Sequence, residues 1–232
     1  MKPSEVADIR ALRLFSGMAD ESFEALFRGA YVQNFPPMID LIAEGDPSDF
    51  LHVMIGGSVE LFAAWNGRET TMATVRPVST FILAATIRDA PYLMSARTIE
   101  KSRIVLLPST DVREIFSQDP VFARSIVDEL AMCYRGVIKN TKNLKLRTSI
   151  ERLANYLLRL HKFGDGSNAV TLPMEKRRLA SYLGMTPENL SRAFKTLHGY
   201  GVDVDGARVV INDVDDLTNF AKPEVLIDDF TV

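Results

Sequence analysis

The sixteen residues Leu179-Ala180-Ser181-Tyr182-Leu183-Gly184-Met185-Thr186-Pro187-Glu188-Asn189-Leu190-Ser191-Arg192-Ala193-Phe194 constrain this chain more than any other stretch. They read as two short helices around a tight turn. Leu179, Ala180 and Leu183 mark the inner face of the first helix, and Gly184 supplies a residue that can end it at positive φ. Thr186 is placed to cap the second helix. Pro187 is placed to open it, where a missing N–H costs nothing. Leu190, Phe194 and Leu197 continue the buried stripe, so Glu188, Asn189, Ser191, Arg192 and Lys195 fall on the outer face. A second helix with a bare polar N-terminal half is what reading a DNA major groove requires. The expected element is a helix-turn-helix controlled by what precedes it.

At 232 residues the chain has room for two domains, each with its own core. No apolar run approaches the length of a membrane span. Met1-Lys2-Pro3-Ser4-Glu5 lacks the apolar centre of a signal peptide. The single cysteine, Cys133, excludes an intrachain disulfide and any all-cysteine cluster, and it fits a reducing cytoplasm, the expected location. A net charge of −3 looks wrong for a DNA binder until it is divided along the chain. Residues 145–211 hold eleven Lys/Arg against six Asp/Glu, whereas residues 212–232 hold one against six. Positive charge is concentrated where phosphate contacts would need it.

Residues 4–30 carry Ile9, Leu12, Leu14 and Phe15, then Phe23, Leu26 and Phe27, at the spacing of short amphipathic helices. From about Tyr31 to Leu107 the pattern becomes short alternating or apolar runs broken by Gly, Pro and Asn. Asn66-Gly67 between two such runs is a hairpin signal, because both central residues of that turn need positive φ. Many short strands with regular turns imply a β-sandwich or roll. Residues from Asp111 are expected to be helical. Ile126, Leu130, Cys133, Val137, Asn140 and Leu144 form a heptad seam of the kind that pairs two helices, and the same stripe also fits an internal core face. Another amphipathic helix, with Ile150, Leu153, Leu157 and Leu158, stops at Gly164-Asp165-Gly166-Ser167. Val202-Asp203-Val204 and Ala207–Ile211, joined through Asp205-Gly206, read as a β-hairpin wing after the helix-turn-helix. An acidic tail follows.

A β-roll, a long central helix and a winged helix-turn-helix, in that order, resemble the family of the cyclic-AMP receptor protein and the fumarate–nitrate reduction regulator. Glu44-Gly45-Asp46, Gly56-Gly57-Ser58-Val59 and Arg152-Leu153-Ala154-Asn155-Tyr156-Leu157-Leu158 carry local likeness as well. The resemblance implies an α+β fold: a double-stranded β-helix (jelly roll) over residues 1–110, a central dimerisation helix over 111–146, and a winged helix-turn-helix with its acidic tail over 147–232. It also implies a homodimeric, non-enzymatic transcription regulator whose partners are a palindromic DNA site, RNA polymerase and a small effector. Glu188, Ser191 and Arg192 resemble the Glu-x-x-Ser-Arg pattern of the fumarate–nitrate branch, which implies half-sites of the TTGAT-N4-ATCAA type. Arg192 suits a guanine edge, Glu188 a cytosine amino group, and Ser191 a thymine or other base edge. Glu188 also suits a helix N-terminus without any DNA. Thr186, Asn189 and Lys195 suit phosphates.

Cyclic-nucleotide binding in the family uses a Gly-Glu pair followed by Arg-Ser-Ala. Here Ser95-Ala96 survive, but Ile82, Leu83 and Met94 replace the Gly, Glu and Arg. A buried phosphate without a paired cation is very costly, so cyclic AMP is not expected. One cysteine cannot hold an iron–sulfur cluster. A haem sensor needs an axial ligand, and the sensor region offers His52, Cys133 and several methionines, so haem stays a lesser alternative. No metal site is expected, and no His/Asp/Glu/Cys set has catalytic spacing. What remains is an apolar pocket with Phe81, Ile82, Leu83, Tyr92, Leu93 and Met94 on one side and Tyr134 and Ile138 on the other. Ser95, Tyr134 and Arg88 or Arg97 would orient the ligand. A hydroxybenzoate-like aromatic acid would suit such a site, its ring on the apolar wall and its carboxylate on Arg or hydroxyl donors. A constitutive DNA-binding protein with a vestigial sensor is the alternative of another class.

Overall fold

The structure, a computed structural model, describes residues 2–164 and 167–229. Asp165 and Gly166 of the predicted helix stop, and Met1 of the N-terminal reading, lie outside the described residues. The chain divides into two compact units, one ending at Cys133 and one beginning at Tyr134.

In the first unit, α1 (Pro3–Arg10) and α2 (Asp20–Arg28) precede eight strands. These are β1 (Tyr31–Phe35), β2 (Asp40–Ile42), β3 (Phe50–Gly56), β4 (Val59–Trp65), β5 (Arg68–Val75), β6 (Ser79–Phe81), β7 (Ser95–Thr98) and β8 (Ser102–Pro108). They pair antiparallel into two four-stranded sheets, in the orders β1-β8-β3-β6 and β2-β7-β4-β5. This is a jelly roll. Asn66 and Gly67 close the β4–β5 hairpin with φ of 49° and 73°, and Trp65 pairs with Arg68, as a two-residue turn demands. Met54, Val59, Leu61, Ala96 and Ile104 fill the roll. A second core, with Phe15, Leu26, Leu107, Phe122 and Ile126, joins the roll to α1, α2, α4 (Ser109–Gln118) and the start of α5 (Pro120–Leu146). Glu5 of α1 holds Arg103 of β8 through two hydrogen bonds, 2.7 and 3.1 Å.

The region from residue 111 is two helices, because Asp119 interrupts it. Its backbone is extended (φ −108°, ψ 101°), and its carboxylate accepts the N–H groups of Val121, Phe122 and Ala19 at 3.0, 3.0 and 3.1 Å. That cap starts α5 afresh and places its first turns in the core of the first unit. The predicted seam begins in that core and continues onto exposed surface. Ile126 is fully buried within its own unit and Leu130 packs against the same core, whereas Cys133, Val137 and Asn140 are exposed. Leu144 packs against the turn of the helix-turn-helix, its Cδ2 occupying the space next to Gly184. Apolar side chains that α5 leaves exposed include Val127, Met132, Tyr134, Val137, Ile138 and Leu144. A helical period marks an apolar face without saying which neighbour covers it.

The second unit continues through α6 (Ser149–Lys162), β9 (Ala169–Thr171), α7 (Lys176–Tyr182), α8 (Pro187–Leu197), β10 (Val202–Asp205), β11 (Arg208–Ile211), α9 (Val214–Ala221) and α10 (Val225–Asp228). Thr148 and Glu151 form a capping box at the start of α6. Leu153, Leu157, Leu179, Leu190, Leu197, Val209 and Leu217 share one core. The wing strands β10 and β11 pair with β9 in a three-stranded sheet, and Gly206 makes their turn at φ 57°. The acidic tail is helical over much of its length. Asp213 caps α9 by accepting the Asp216 N–H at 2.8 Å, and Asp228 grips Arg147 through two bonds of 2.6 Å. Lys139 donates to the Asp229 carbonyl. No helix among the described residues is long and apolar enough to cross a membrane.

Candidate functional site

The helix-turn-helix is built as its residue types require. The Met185 N–H donates to the Ala180 carbonyl and the Gly184 N–H to the Ser181 carbonyl, both at 2.9 Å, while Gly184 takes φ 64°. Thr186 Oγ1 accepts the Asn189 N–H at 3.2 Å, and Pro187 opens α8. Leu190, Phe194 and Leu197 are buried, and Glu188, Asn189, Ser191, Arg192 and Lys195 are exposed.

Beneath the turn lies a group whose role was not read from the sequence. Arg152 of α6 is 9% exposed, and its guanidinium donates to the carbonyls of Leu183 (2.8 Å), Gly184 (3.2 Å) and Arg147 (2.7 Å). One cation thereby satisfies carbonyls at the C-terminal end of α7 and just beyond α5, where the helix dipoles favour positive charge. In sequence it is only a polar interruption in the apolar face of α6.

On the outer face, Glu188 and Arg192 stand one turn apart. The Glu188 carboxyl is held below the usual range by its own backbone N–H, the Thr186 hydroxyl and the nearby Arg192 guanidinium. It is therefore ionised, an acceptor only, and partly engaged in the cap. The Ser191 hydroxyl donates to the Pro187 carbonyl at 3.1 Å, so in the free protein it offers a groove an acceptor and no spare donor. Lys195, Asn189 and Thr186 flank these three on the exposed surface. At the far end, Asp203 holds His198 and Asn212, each at 2.8 Å, and ties the wing to the turn after α8.

The sensor residues do not gather as one wall. Phe81, Tyr92 and Met94 share the roll interior with Ile82, and Phe81 stacks on the buried His52 ring at a centroid distance of 4.9 Å. Burial pushes the His52 imidazole down to about 4, only partly offset by a hydrogen bond with the Phe50 backbone, so the ring is neutral. Ile82 adopts φ 64°, a region that a β-branched residue avoids. The chain turns there into α3 (Leu83–Arg88), and Leu83 packs into the helical core rather than the roll. Leu93 is 83% exposed, and Arg88 is exposed at the end of α3. Ser95 and Arg97 face away from the roll interior, since strand alternation sends Ala96 inward and its neighbours outward. Ser95 Oγ accepts the Glu44 N–H at 3.0 Å. Arg97 bonds Glu60 and Glu69, both at 3.3 Å, and covers the Phe62 ring at 4.4 Å. Tyr134 and Ile138 belong to the second unit, exposed on α5. The expected pocket thus loses Leu83, Leu93, Ser95 and Arg97, and keeps Phe81, Ile82, Tyr92 and Met94 as an apolar group.

Residues 32–119 match the cyclic nucleotide-binding domain family, and residues 151–220 match the Crp-like helix-turn-helix domain family. The chain is 26% identical over 215 residues to the CRP-like cAMP-activated global transcriptional regulator of Mycobacterium tuberculosis, covering 90% of this chain and 96% of that protein. It is 23% identical to the transcriptional activator protein anr of Pseudomonas aeruginosa, covering 75% and 73%. Its fold is similar to that of FixK2 from Bradyrhizobium japonicum, with a TM-score of 0.69 and 23% identity over 82% of this chain and 96% of that one.

Proposed function

We propose that the chain is a transcription regulator of the cyclic-AMP receptor protein and fumarate–nitrate reduction regulator family, a reading supported by its cyclic nucleotide-binding and Crp-like helix-turn-helix domain matches and its relatives, and that it acts as a homodimer on a palindrome of the TTGAT-N4-ATCAA type. The protein is a DNA-binding regulator under allosteric control by an effector. The observation that carries the finer reading is the capped N-terminal half of α8, which presents Glu188, Ser191 and Arg192 together. In this reading Arg192 donates to a guanine, Glu188 accepts from a cytosine and Ser191 accepts at a neighbouring base edge. Thr186, Asn189 and Lys195 anchor phosphates. The exposed part of the predicted stripe, Cys133, Val137, Asn140 and Leu144, with Tyr134 and Ile138 beside it, forms the dimer seam, because an exposed apolar stripe on a long helix needs a partner.

The effector is a small organic molecule other than cyclic AMP, and the chain belongs to a branch without the nucleotide cassette. Leu83 and Met94 at the cassette positions are apolar and packed, and Arg97 already holds two carboxylates. A phosphate there would lack a counter-ion. Phe81, Tyr92 and Met94 suit an aromatic body, and Arg88 is the remaining cation for an acid.

The test measures DNA affinity for the palindrome and for a half-site-swapped duplex at fixed salt, with cyclic AMP, with a hydroxybenzoate and without effector. Palindrome preference is expected throughout. The hydroxybenzoate should change DNA affinity, and DNA should change hydroxybenzoate affinity by the same factor, because linkage is reciprocal. A response to cyclic AMP would overturn the effector reading. A Soret band in the purified protein would replace it with haem, and indifference to every effector would replace it with a constitutive binder.

A further inference from the structure

Only Arg147 and Thr148 separate α5 from α6, so these two residues set the angle at which the DNA-reading helices leave the long helix. The joint is held from two sides. On one side, the Arg147 carbonyl accepts from the Arg152 guanidinium at 2.7 Å, and the same guanidinium holds the Leu183 and Gly184 carbonyls of the helix-turn-helix at 2.8 and 3.2 Å. On the other, the nearly buried Arg147 side chain is gripped by both carboxylate oxygens of Asp228, each at 2.6 Å, and donates to Asn143 Oδ1 of α5 at 3.2 Å. Asp228 Oδ2 also accepts the Glu224 N–H at 2.7 Å, which fixes the carboxylate within its own segment. About two turns earlier on α5, the buried Lys139 donates to the Asp229 carbonyl. A lone exposed ion pair would be too weak to hold such a joint. A two-pronged contact between Arg and carboxylate, largely away from water, fixes direction as well as distance.

We propose that Asp228 is a positioning residue for DNA recognition: through Arg147 and Arg152 it holds the helix-turn-helix at a fixed angle to the end of α5. The proposal rests on the reading of the chain as a homodimer on a palindrome. Asp228 bonds to the joint and to its own segment, so Glu188, Ser191 and Arg192 on the outer face of α8 keep their chemistry without it. What the joint decides is whether two reading helices meet both half-sites at once. Once one half-site is bound, the second binds intramolecularly. A loosened joint spreads the second helix over more orientations and lowers its effective concentration. Half-site affinity is untouched by that loss, whereas discrimination between half-site spacings goes with it.

The experiment compares the full chain with Asp228→Ala, Arg147→Ala and the double variant, by fluorescence anisotropy on one half-site and on palindromes with N4 and N6 spacers. The unsubstituted protein should prefer N4. Asp228→Ala should lose about tenfold on the N4 palindrome and most of the preference over N6, but less than about twofold on the half-site. Arg147→Ala should do the same, and the double variant no more, because the two side chains act as one contact. Equal losses on half-site and palindrome, or an unchanged spacing preference, would overturn the proposal. A second readout needs no DNA. In Asp228→Ala the Arg152 Nε–H and the amides of Gly184 and Met185 should exchange with solvent about tenfold faster, and unchanged exchange would also overturn it. An unsubstituted protein indifferent to spacing would sink the palindrome reading instead, and the exchange rates would then decide on the joint alone. Asp228→Asn keeps the side-chain shape but breaks the two-pronged contact, and it carries the same expectations should the alanine variant fail to fold.

Discussion

Arg192 and Glu188 differ from the other exposed side chains of α8 in what each can tell apart. A guanidinium makes two parallel bonds to a guanine edge, and no other base offers the same pair of acceptors. Arg192→Ala should lose preference at one base pair per half-site, about 1–3 kcal/mol there by fluorescence anisotropy on matched and mutated duplexes. Lys195→Ala, by contrast, should weaken binding evenly across sequences and lower the salt slope. Equal losses on specific and random DNA for Arg192→Ala would remove its reading role. Arg152 acts at the same scale but inward. Arg152→Met keeps the bulk yet strands the Leu183 and Gly184 carbonyls, and should cost about 2–3 kcal/mol of stability in the second unit, measured by urea unfolding. The outer face of α8 was legible in sequence because apolar spacing leaves polar residues nowhere else to point. Arg152 was not, because its partners are backbone carbonyls, two of them about thirty residues away at Leu183 and Gly184.

Among the elements, α1 and the C-terminal segment are each held to a body by an ion pair. The Glu5 carboxyl lies at about 2, against an ordinary 4.5, chiefly through its hydrogen bonds with Arg103 and with the Lys2 backbone. The folded value is depressed, so the docking energy of α1 is present above pH 4.5 and is lost as pH falls toward 2. Hydrogen-exchange protection of residues 3–10 should fall over that window, and Glu5→Gln should lack the transition. The Arg147–Asp228 pair is more enclosed, with side-chain exposures of 8% and 24%. Asp228→Ala should therefore cost about 1–3 kcal/mol, with partial recovery in the charge-swapped double variant, followed by thermal unfolding. The acidic tail shows how composition can mislead about order. Its charge alone left order open, and in the structure Leu217, Ala221 and Ile227 are buried and Asp213 and Asp228 have defined partners.

At the scale of the whole molecule, the dimer proposal turns on which stripe of α5 is free. Ile138→Glu places a charge on the exposed apolar face without touching either core. It should shift sedimentation toward the monomer and reduce palindrome affinity to that of one half-site, while the fold by circular dichroism is kept. Ile126→Glu should instead unfold the first unit, because Ile126 is fully buried. If Ile138→Glu remained dimeric, the seam would lie elsewhere.

Taken alone, the sequence determined the order of elements, the hairpin at Asn66-Gly67, the cap and turn of the helix-turn-helix, and the set of polar residues presented by α8. Each of these follows from local chemistry: a required φ, a missing N–H, a spacing that matches one period. Only the tertiary structure decided which face of α5 is buried, that Leu83 and Arg97 leave the roll interior, and that Arg152 supports the turn. Those outcomes depend on what packs against a surface or accepts a hydrogen bond from a distant segment. A one-dimensional pattern records that a face is apolar, and the partner that covers it is chosen in three dimensions.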